Sequence, residues 1–317
     1  MAARGASAPR VAVAASGGRD STALLHCTRR MAAALGIDVH ALHVHHGLMP
    51  EADDWQSQVE RQCRRWRIPL AVTRLDGAPA RGDSVEAWAR RGRYRALACM
   101  ATEQGIGLVL LAHHRRDQAE TFLVQALRGG GAAGLAAMPR LAHRAGLVWA
   151  RPWLEMPRAA LEAYVRRHRL AHVDDRSNED ERYARARLRR TVWPALQGAF
   201  PDAEATLARA AQRAASEAAL LSEVGAADLQ RVLGDANTLS VAAWLALTAA
   251  RRINVLRLWL AGALAAPVPE TLVRRLAAEL PACVHAQWPA PGGHLLLRRG
   301  RLAPDVAARA VGEGPAL

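Results

Sequence analysis

A chain of 317 residues with 43 basic against 29 acidic side chains carries a formal charge of +14. It is long enough for one large domain and a smaller one, and its charge favours a polyanionic partner, nucleic acid first. All 43 basic residues are arginine, which excludes a Walker lysine, a Schiff-base lysine and a lysine general base, so a nucleotide phosphate must be held another way. No apolar run is long enough to span a bilayer and MAARGASAPR is too short and polar for a secretion signal, so a cytoplasmic protein without a membrane partner is expected.

From about residue 10 to residue 155, short apolar runs alternate with amphipathic stretches. VAVAA (11–15), VHALHV (39–44), LAVTRL (70–75), LVLLA (108–112) and LVWARP (147–152) read as strands. Between them, segments 21–35, 52–66, 84–104 and 117–127 place apolar residues at i, i+3 and i+4 and read as helices. The alternation predicts an α/β domain with a doubly wound, mostly parallel sheet. A further helix follows Pro157, then the polar loop DDRSNED, then an arginine-rich helix. Residues 200–224 read as one long helix, and a boundary near residue 200 divides a catalytic domain, 1–200, from a smaller, mainly helical domain, 201–317. That second part is predicted to end in one hairpin, VHAQW and HLLLRRGRL around PAPGG, before a loose tail. Cys27, Cys63, Cys99 and Cys283 lie far apart with no CxxC pair, which signals neither a disulfide framework nor a zinc site and predicts buried small hydrophobes.

In SGGRDS (16–21) a strand ends and a helix begins, so backbone N–H groups and the positive end of the helix dipole converge on one place. Gly17 and Gly18 leave that place open, Ser16, Ser21 and Thr22 offer hydroxyls, and Asp20 is placed to cap the helix or to hold a magnesium ion on a phosphate. An ordinary turn before a capped helix uses the same residue types. The stretch is neither GxGxxG nor GxxxxGK[ST]. Beyond other strand ends lie HVHHGL (43–48) and AHHRRDQAETFL (112–123), and a glycine-rich loop, RGGGAAGLAAM (128–138), follows the next helix. Asp117 and Glu120, three apart, share a helix face, though acids near a helix start also serve its dipole.

SGGRDS resembles the pyrophosphate-binding loop of the N-type ATP pyrophosphatases, the PP-loop family. With LHVHHGL, HHRRDQAETFL, LRGGGAAGLAAM, RPWLEMPRAALEAYV and DDRSNEDERYARARLRRTVWPAL in that order, the chain resembles the tRNA(Ile)-lysidine synthetases. The resemblance implies a ligase that joins free L-lysine to C2 of the wobble cytidine of a tRNA(Ile) with a CAU anticodon, through an adenylated cytidine, with ATP giving AMP and pyrophosphate. It implies ATP binding by Ser16, Gly17, Gly18, Arg19, Asp20 and Ser21, and magnesium on Asp20. Catalytic roles fall on Asp20, Asp117, Glu120 and Arg185, the last three also forming the lysine pocket. A homodimer is compatible with this reading. Many members carry a further small C-terminal domain, which this chain is expected to lack. Two positions depart from the family pattern. Arg116 replaces the first of two aspartates, leaving either magnesium held by Asp20 and Asp117 or a guanidinium on phosphate, and Ala186 stands where asparagine is usual. The alternatives are another PP-loop tRNA-modifying enzyme, a thiolase, or a tRNA-binding protein whose ligase has decayed. Arg182, Arg185, Arg187, Arg189 and Arg190, with arginines of the second domain, are the candidate tRNA contacts.

Overall fold

The computed structural model describes residues 8–47, 51–77, 85–173, 184–264 and 266–306, and the DDRSNED loop, Arg182 and the C-terminal tail lie outside them. The chain forms two compact units, Met1–Ala215 and Ser216–Leu317.

In the first unit β1 (Arg10–Ala14) leads into α1 (Arg19–Leu35), β2 (Asp38–His45), α2 (Ala52–Trp66), β3 (Leu70–Arg74), α3 (Val85–Glu103) and β4 (Leu108–Leu110). Then come α4 (Arg115–Leu127), the single turn α5 (Ala132–Leu135), β5 (Leu141–Arg144), β6 (Leu147–Ala150), α6 (Arg158–His168), α7 (Ala184–Arg187) and α8 (Trp193–Ala199), and α9 (Ala203–Val232) continues into the second unit. The six strands lie in the order β3-β2-β1-β4-β6-β5, parallel except for β5. The central strand β1 is apolar on both faces, as a parallel strand covered on both sides must be. Val13 and Ala41 meet Leu24 and Leu25 of α1 and Val59 and Cys63 of α2 on one face. Ala12, Leu42 and Val109 meet Leu97, Met100 and Ala101 of α3 on the other.

The doubly wound, mostly parallel sheet is therefore as predicted. Strand β5 is an addition, joined to β6 through Ala145 (φ 52°) and Gly146 (φ 72°). Two positive φ values make the kind of turn that suits a tight hairpin, but Ala-Gly lacks the usual Asn-Gly signal. The chain crosses from β1 to β2 on one side and has β4 on the other, so the mouth between β1 and β4 is the switch point where open α/β sheets bind ligands.

The second unit contains β7 (Leu239–Ser240), α10 (Val241–Leu245), α11 (Ala249–Ala263), α12 (Glu270–Glu279), β8 (Ala286–Ala290), β9 (Gly293–Arg298) and β10 (Arg301–Val306). Its antiparallel sheet runs β7-β10-β9-β8. The single predicted hairpin is corrected to a meander, because HLLLRRGRL itself turns at Arg299 (φ 49°) and Gly300 (φ 71°). Trp244, Trp259 and Trp288 anchor the core, and each indole N–H is bonded, to Arg252 O, Asn237 O and Glu279 Oε2 respectively. All four cysteines are free, and Cys63 is buried, but Cys99 is exposed, against expectation. Among the described residues no helix is long and apolar enough to cross a membrane.

Candidate active site

A cavity of about 660 Å³ opens beyond the C-terminal ends of β1, β2 and β4. Its lining includes Ser16, Gly18, Arg19, Asp20 and Ser21 with His43, His45, His113, His114, Arg116, Arg158 and Arg189, whereas Asp117, Glu120 and Arg185 do not border it. Every sequence-predicted ATP residue except Gly17 borders it directly. Gly17 sits at φ 85°, a conformation that favours glycine, and a Cβ there would crowd Val59 Cγ2 at 3.1 Å.

Gly18 is the N-cap of α1 and offers no side-chain cap, so the first amides of α1 receive nothing from that position. The hydroxyls brace the bend: Ser21 Oγ donates to Gly18 O at 3.0 Å and lies 3.0 Å from Ser16 Oγ, and Thr22 Oγ1 donates to Gly17 O at 3.3 Å. Val173 N closes the bend from outside by donating to Gly17 O at 3.0 Å. Arg19 donates to Asp20 Oδ1 at 3.0 Å and to Glu162 Oε1 at 2.9 Å, which fixes the arginine beside the cavity. Burial opposes ionisation of Asp20, but hydrogen bonds from His114 and Arg19 outweigh it and hold the carboxyl far below the usual carboxylate range.

The N-terminus of α4 is built differently. His114 is its N-cap, with Nδ1 accepting from Arg116 N at 3.2 Å while Asp117 Oδ2 accepts from His114 N at 3.0 Å, a reciprocal cap. The His114 proton then belongs on Nε2, which lies 3.5 Å from both Asp20 Oδ2 and Asp117 Oδ2. Burial lowers the His114 pKa, but the hydrogen bond to Asp20 and the charge of Asp117 reverse this and raise it overall. His113 is held neutral, its pKa lowered to about 3 by desolvation, and its Nδ1 has no hydrogen-bond partner among the described residues.

Asp117 and Glu120 do come together on α4, with Glu120 fully buried. Their partner is not Arg185. Arg189 Nε donates to both Glu120 oxygens at 2.9 Å, and its Nη2 reaches Asp117 Oδ1 at 3.1 Å. Arg185 Nη2 instead donates to Thr121 Oγ1 at 2.6 Å, one helical step along α4. Burial penalises the Asp117 carboxylate, and the charge of His114, the His114 amide and Arg189 together hold its pKa below the normal value. Between α7 and α8 the chain makes one π turn, Leu188–Val192, closed by Trp193 N on Leu188 O. Pro194 has no N–H to continue the α pattern, and the wider turn follows. Arg116 stacks its guanidinium 3.7 Å above the buried Trp193 ring with Nε 3.7 Å from Glu120 Oε1, and Ala186 is buried.

Arg189, His114 and Trp193 are thus the site residues that sequence reasoning missed or placed elsewhere. Arg189 stands four after Arg185, one turn along the same helical track, so helical periodicity alone offered both to α4. His114 sits immediately before the helix, where a cap belongs, although histidine is not among the usual capping residues.

The PP-loop domain family matches residues 2–196. The chain is 45% identical to a tRNA(Ile)-lysidine synthase of Ralstonia nicotianae over 86% of its own length but only 59% of that relative's. It is 42% identical to a tRNA(Ile)-lysidine synthase of Polaromonas naphthalenivorans over 94% of its own length and 90% of the relative's. A U34-tRNA thiolase of Methanococcus maripaludis, solved with its [4Fe-4S] cluster, superposes with a TM-score of 0.55 over 65% of this chain and 71% of that one at 15% identity, a likeness of fold.

Proposed function

Because the chain belongs to the tRNA(Ile)-lysidine synthase family of PP-loop proteins, we propose that it joins free lysine to C2 of the wobble cytidine of a tRNA(Ile) with a CAU anticodon. The observation that supports this reading is one cavity bordered by the glycine bend and the N-terminus of α1, which Gly18 leaves without a side-chain cap, and by Arg189, whose guanidinium ties the buried Asp117 and Glu120 behind the cavity wall. The cytidine O2 attacks the α-phosphorus of ATP and pyrophosphate leaves, its charge met by the amides of α1 and by Arg19. The lysine ε-amine then attacks C2, losing a proton, and AMP departs with the O2 oxygen.

Magnesium commonly binds through one or two carboxylates plus substrate phosphates, and Asp20, ionised and bordering the cavity, fits that pattern. Such an ion would neutralise phosphate charge. Arg116 also borders the cavity and can face a phosphate from the opposite side. We assign Asp117 and Glu120 to the ammonium groups of free lysine, with Arg185 and Arg189 at hand for its carboxylate. Arg189 is then a placeholder cation that the substrate's own cation displaces. The second unit, with exposed Arg251, Arg257, Arg274 and Arg275, is assigned to tRNA binding in a cytoplasmic enzyme.

The test is to incubate the protein with ATP, labelled lysine and unmodified tRNA(Ile) bearing CAU. Formation of AMP, pyrophosphate and labelled tRNA in equal amounts is expected. Tight tRNA binding without label would instead favour a decayed ligase, and sulfur transfer from a persulfide donor a thiolase.

A further inference from the structure

On the face of the sheet covered by α1, α2 and α6, away from the cavity, three helix segments meet around a ring cluster. The His26 ring lies 5.3 Å from Trp66, 5.7 Å from Tyr164 and 5.0 Å from His168, and His26 Nδ1 is 2.9 Å from Tyr164 Oη. Arg30 donates to His168 Nε2 at 3.4 Å. The segments that carry these rings are 26–35, 61–67 and 163–169, and they contain nine arginines and no acidic residue. Arg29, Arg30, Arg61, Arg64, Arg65, Arg67, Arg166, Arg167 and Arg169 are all exposed. The acids of these helices sit in their earlier turns, where Glu162 is held by Arg19 and Arg158 and Glu60 pairs with Arg64. Helix dipoles explain a basic last turn in α2 and α6, but not Arg29 and Arg30 in mid-α1. Burial together with the neighbouring His168, Arg30 and Arg29 depresses the His26 pKa, so the positive charge of this face rests on its arginines.

We infer that this face is a second docking surface for the tRNA, gripping the sugar–phosphate backbone of the arm whose loop delivers a base to the cavity. The inference rests on the reading of the substrate as tRNA. Geometry favours it because the same helices join the two places. Arg19 of α1 and Arg158 of α6 border the cavity, and Arg30 lies 11 residues further along α1 than Arg19, about 16 Å away at 1.5 Å per residue. A guanidinium fork on phosphate reads no sequence, so this surface would set register and affinity while the cavity reads the base.

The experiment compares tRNA binding by the wild-type chain with that of R30Q/R65Q/R67Q/R167Q and of a charge-matched control across the sheet, R91Q/R95Q/R128Q/R140Q, over a range of salt concentrations. Thermal unfolding and ATP binding of each variant show that the fold and the nucleotide site are intact. The expected result is at least a tenfold loss of tRNA affinity in the first variant, with the salt slope reduced by about three, and less than a threefold loss in the control. The same loss should appear with the isolated anticodon stem-loop. Wild-type binding with equal losses in both variants overturns this surface but leaves the proposed function standing, whereas absence of wild-type tRNA binding overturns both. Loss of binding to anionic phosphatidylserine vesicles alone, with tRNA affinity unchanged, would make the face a membrane contact and overturn the inference.

Discussion

Two helices begin at the rim of the same cavity, and they begin in opposite ways. Helix α1 starts from a glycine that supplies no side-chain cap, behind a second glycine at φ 85°, so its dipole and first amides face the cavity. Helix α4 starts from His114 and Asp117, which cap each other's backbone, and its acids are further tied by Arg189. One end waits for an anion, and the other has already supplied its own. The difference supports the proposed placement of the triphosphate at α1 and of the cationic substrate beside α4, since an anion in contact with Asp117 and the fully buried Glu120 would be repelled.

The largest test breaks the closed end. Arg189→Ala leaves Glu120 and Asp117 buried beside each other without their main cation, which should destabilise the first unit by about 3 kcal/mol. The deficit should shrink as pH falls from 8 to 5, because carboxylates without a counterion take up protons in the folded state. The wild type should behave oppositely in acid. Its Asp20 and Asp117 pKa values are depressed, so their contribution is present above a normal carboxylate pKa and is lost as pH drops below about 4. Denaturant titrations of both proteins across this range check the two signs. Arg185→Ala, which among the described residues gives up a bond to Thr121, should cost far less stability. A deficit equal to that of Arg189→Ala would remove the distinction between the two arginines.

What could be read from sequence follows the same divide. The open end was legible because a missing side chain is itself the signal: SGG between an apolar run and a helix states where backbone must be bare. The parallel strands were legible for a related reason, since burial on both faces leaves continuous apolar runs such as VAVAA. The closed end was legible only in its residue types. Asp117 and Glu120 share a face by local spacing, but their partner is chosen by how a helix distant in sequence arrives, which sets Arg189 on the two acids and Arg185 on Thr121, one step along α4. Strands β5 and β10 escaped for a local reason, because their turns force Ala145 and Arg299 to positive φ where glycine or asparagine would have announced them.

A smaller test closes the open end without disturbing the fold. Gly18 has φ −69° and ψ 163°, which any residue adopts, and a Cβ there would come no closer than 3.5 Å to Ser16 Oγ. Gly18→Ser should therefore be accepted, and its hydroxyl can cap the amides of α1, stabilising the unit by a few tenths of a kcal/mol. The same bond competes with phosphate. ATP affinity should fall about tenfold while the melting temperature holds or rises, measured by calorimetric titration beside thermal unfolding. If ATP affinity is unchanged, those amides do not hold the nucleotide.

The smallest effect lies where the two ends touch, at His114 between Asp20 and Asp117. Its raised pKa means that imidazolium is favoured in the folded state, so its contribution is complete below the ordinary pKa of about 6.5 and fades as pH rises through the folded value. The gain is partly offset because a protonated Nδ1 can no longer accept from Arg116 N, so the net should stay under about 1 kcal/mol. His114→Asn keeps a capping acceptor and loses the titrating group. The difference in stability between wild type and variant should then be greatest near pH 5.5 and close to its minimum by pH 8.5. A difference that does not change with pH would show that His114 acts only as a cap, leaving Arg19 as the main cation that keeps Asp20 ionised beside the bend.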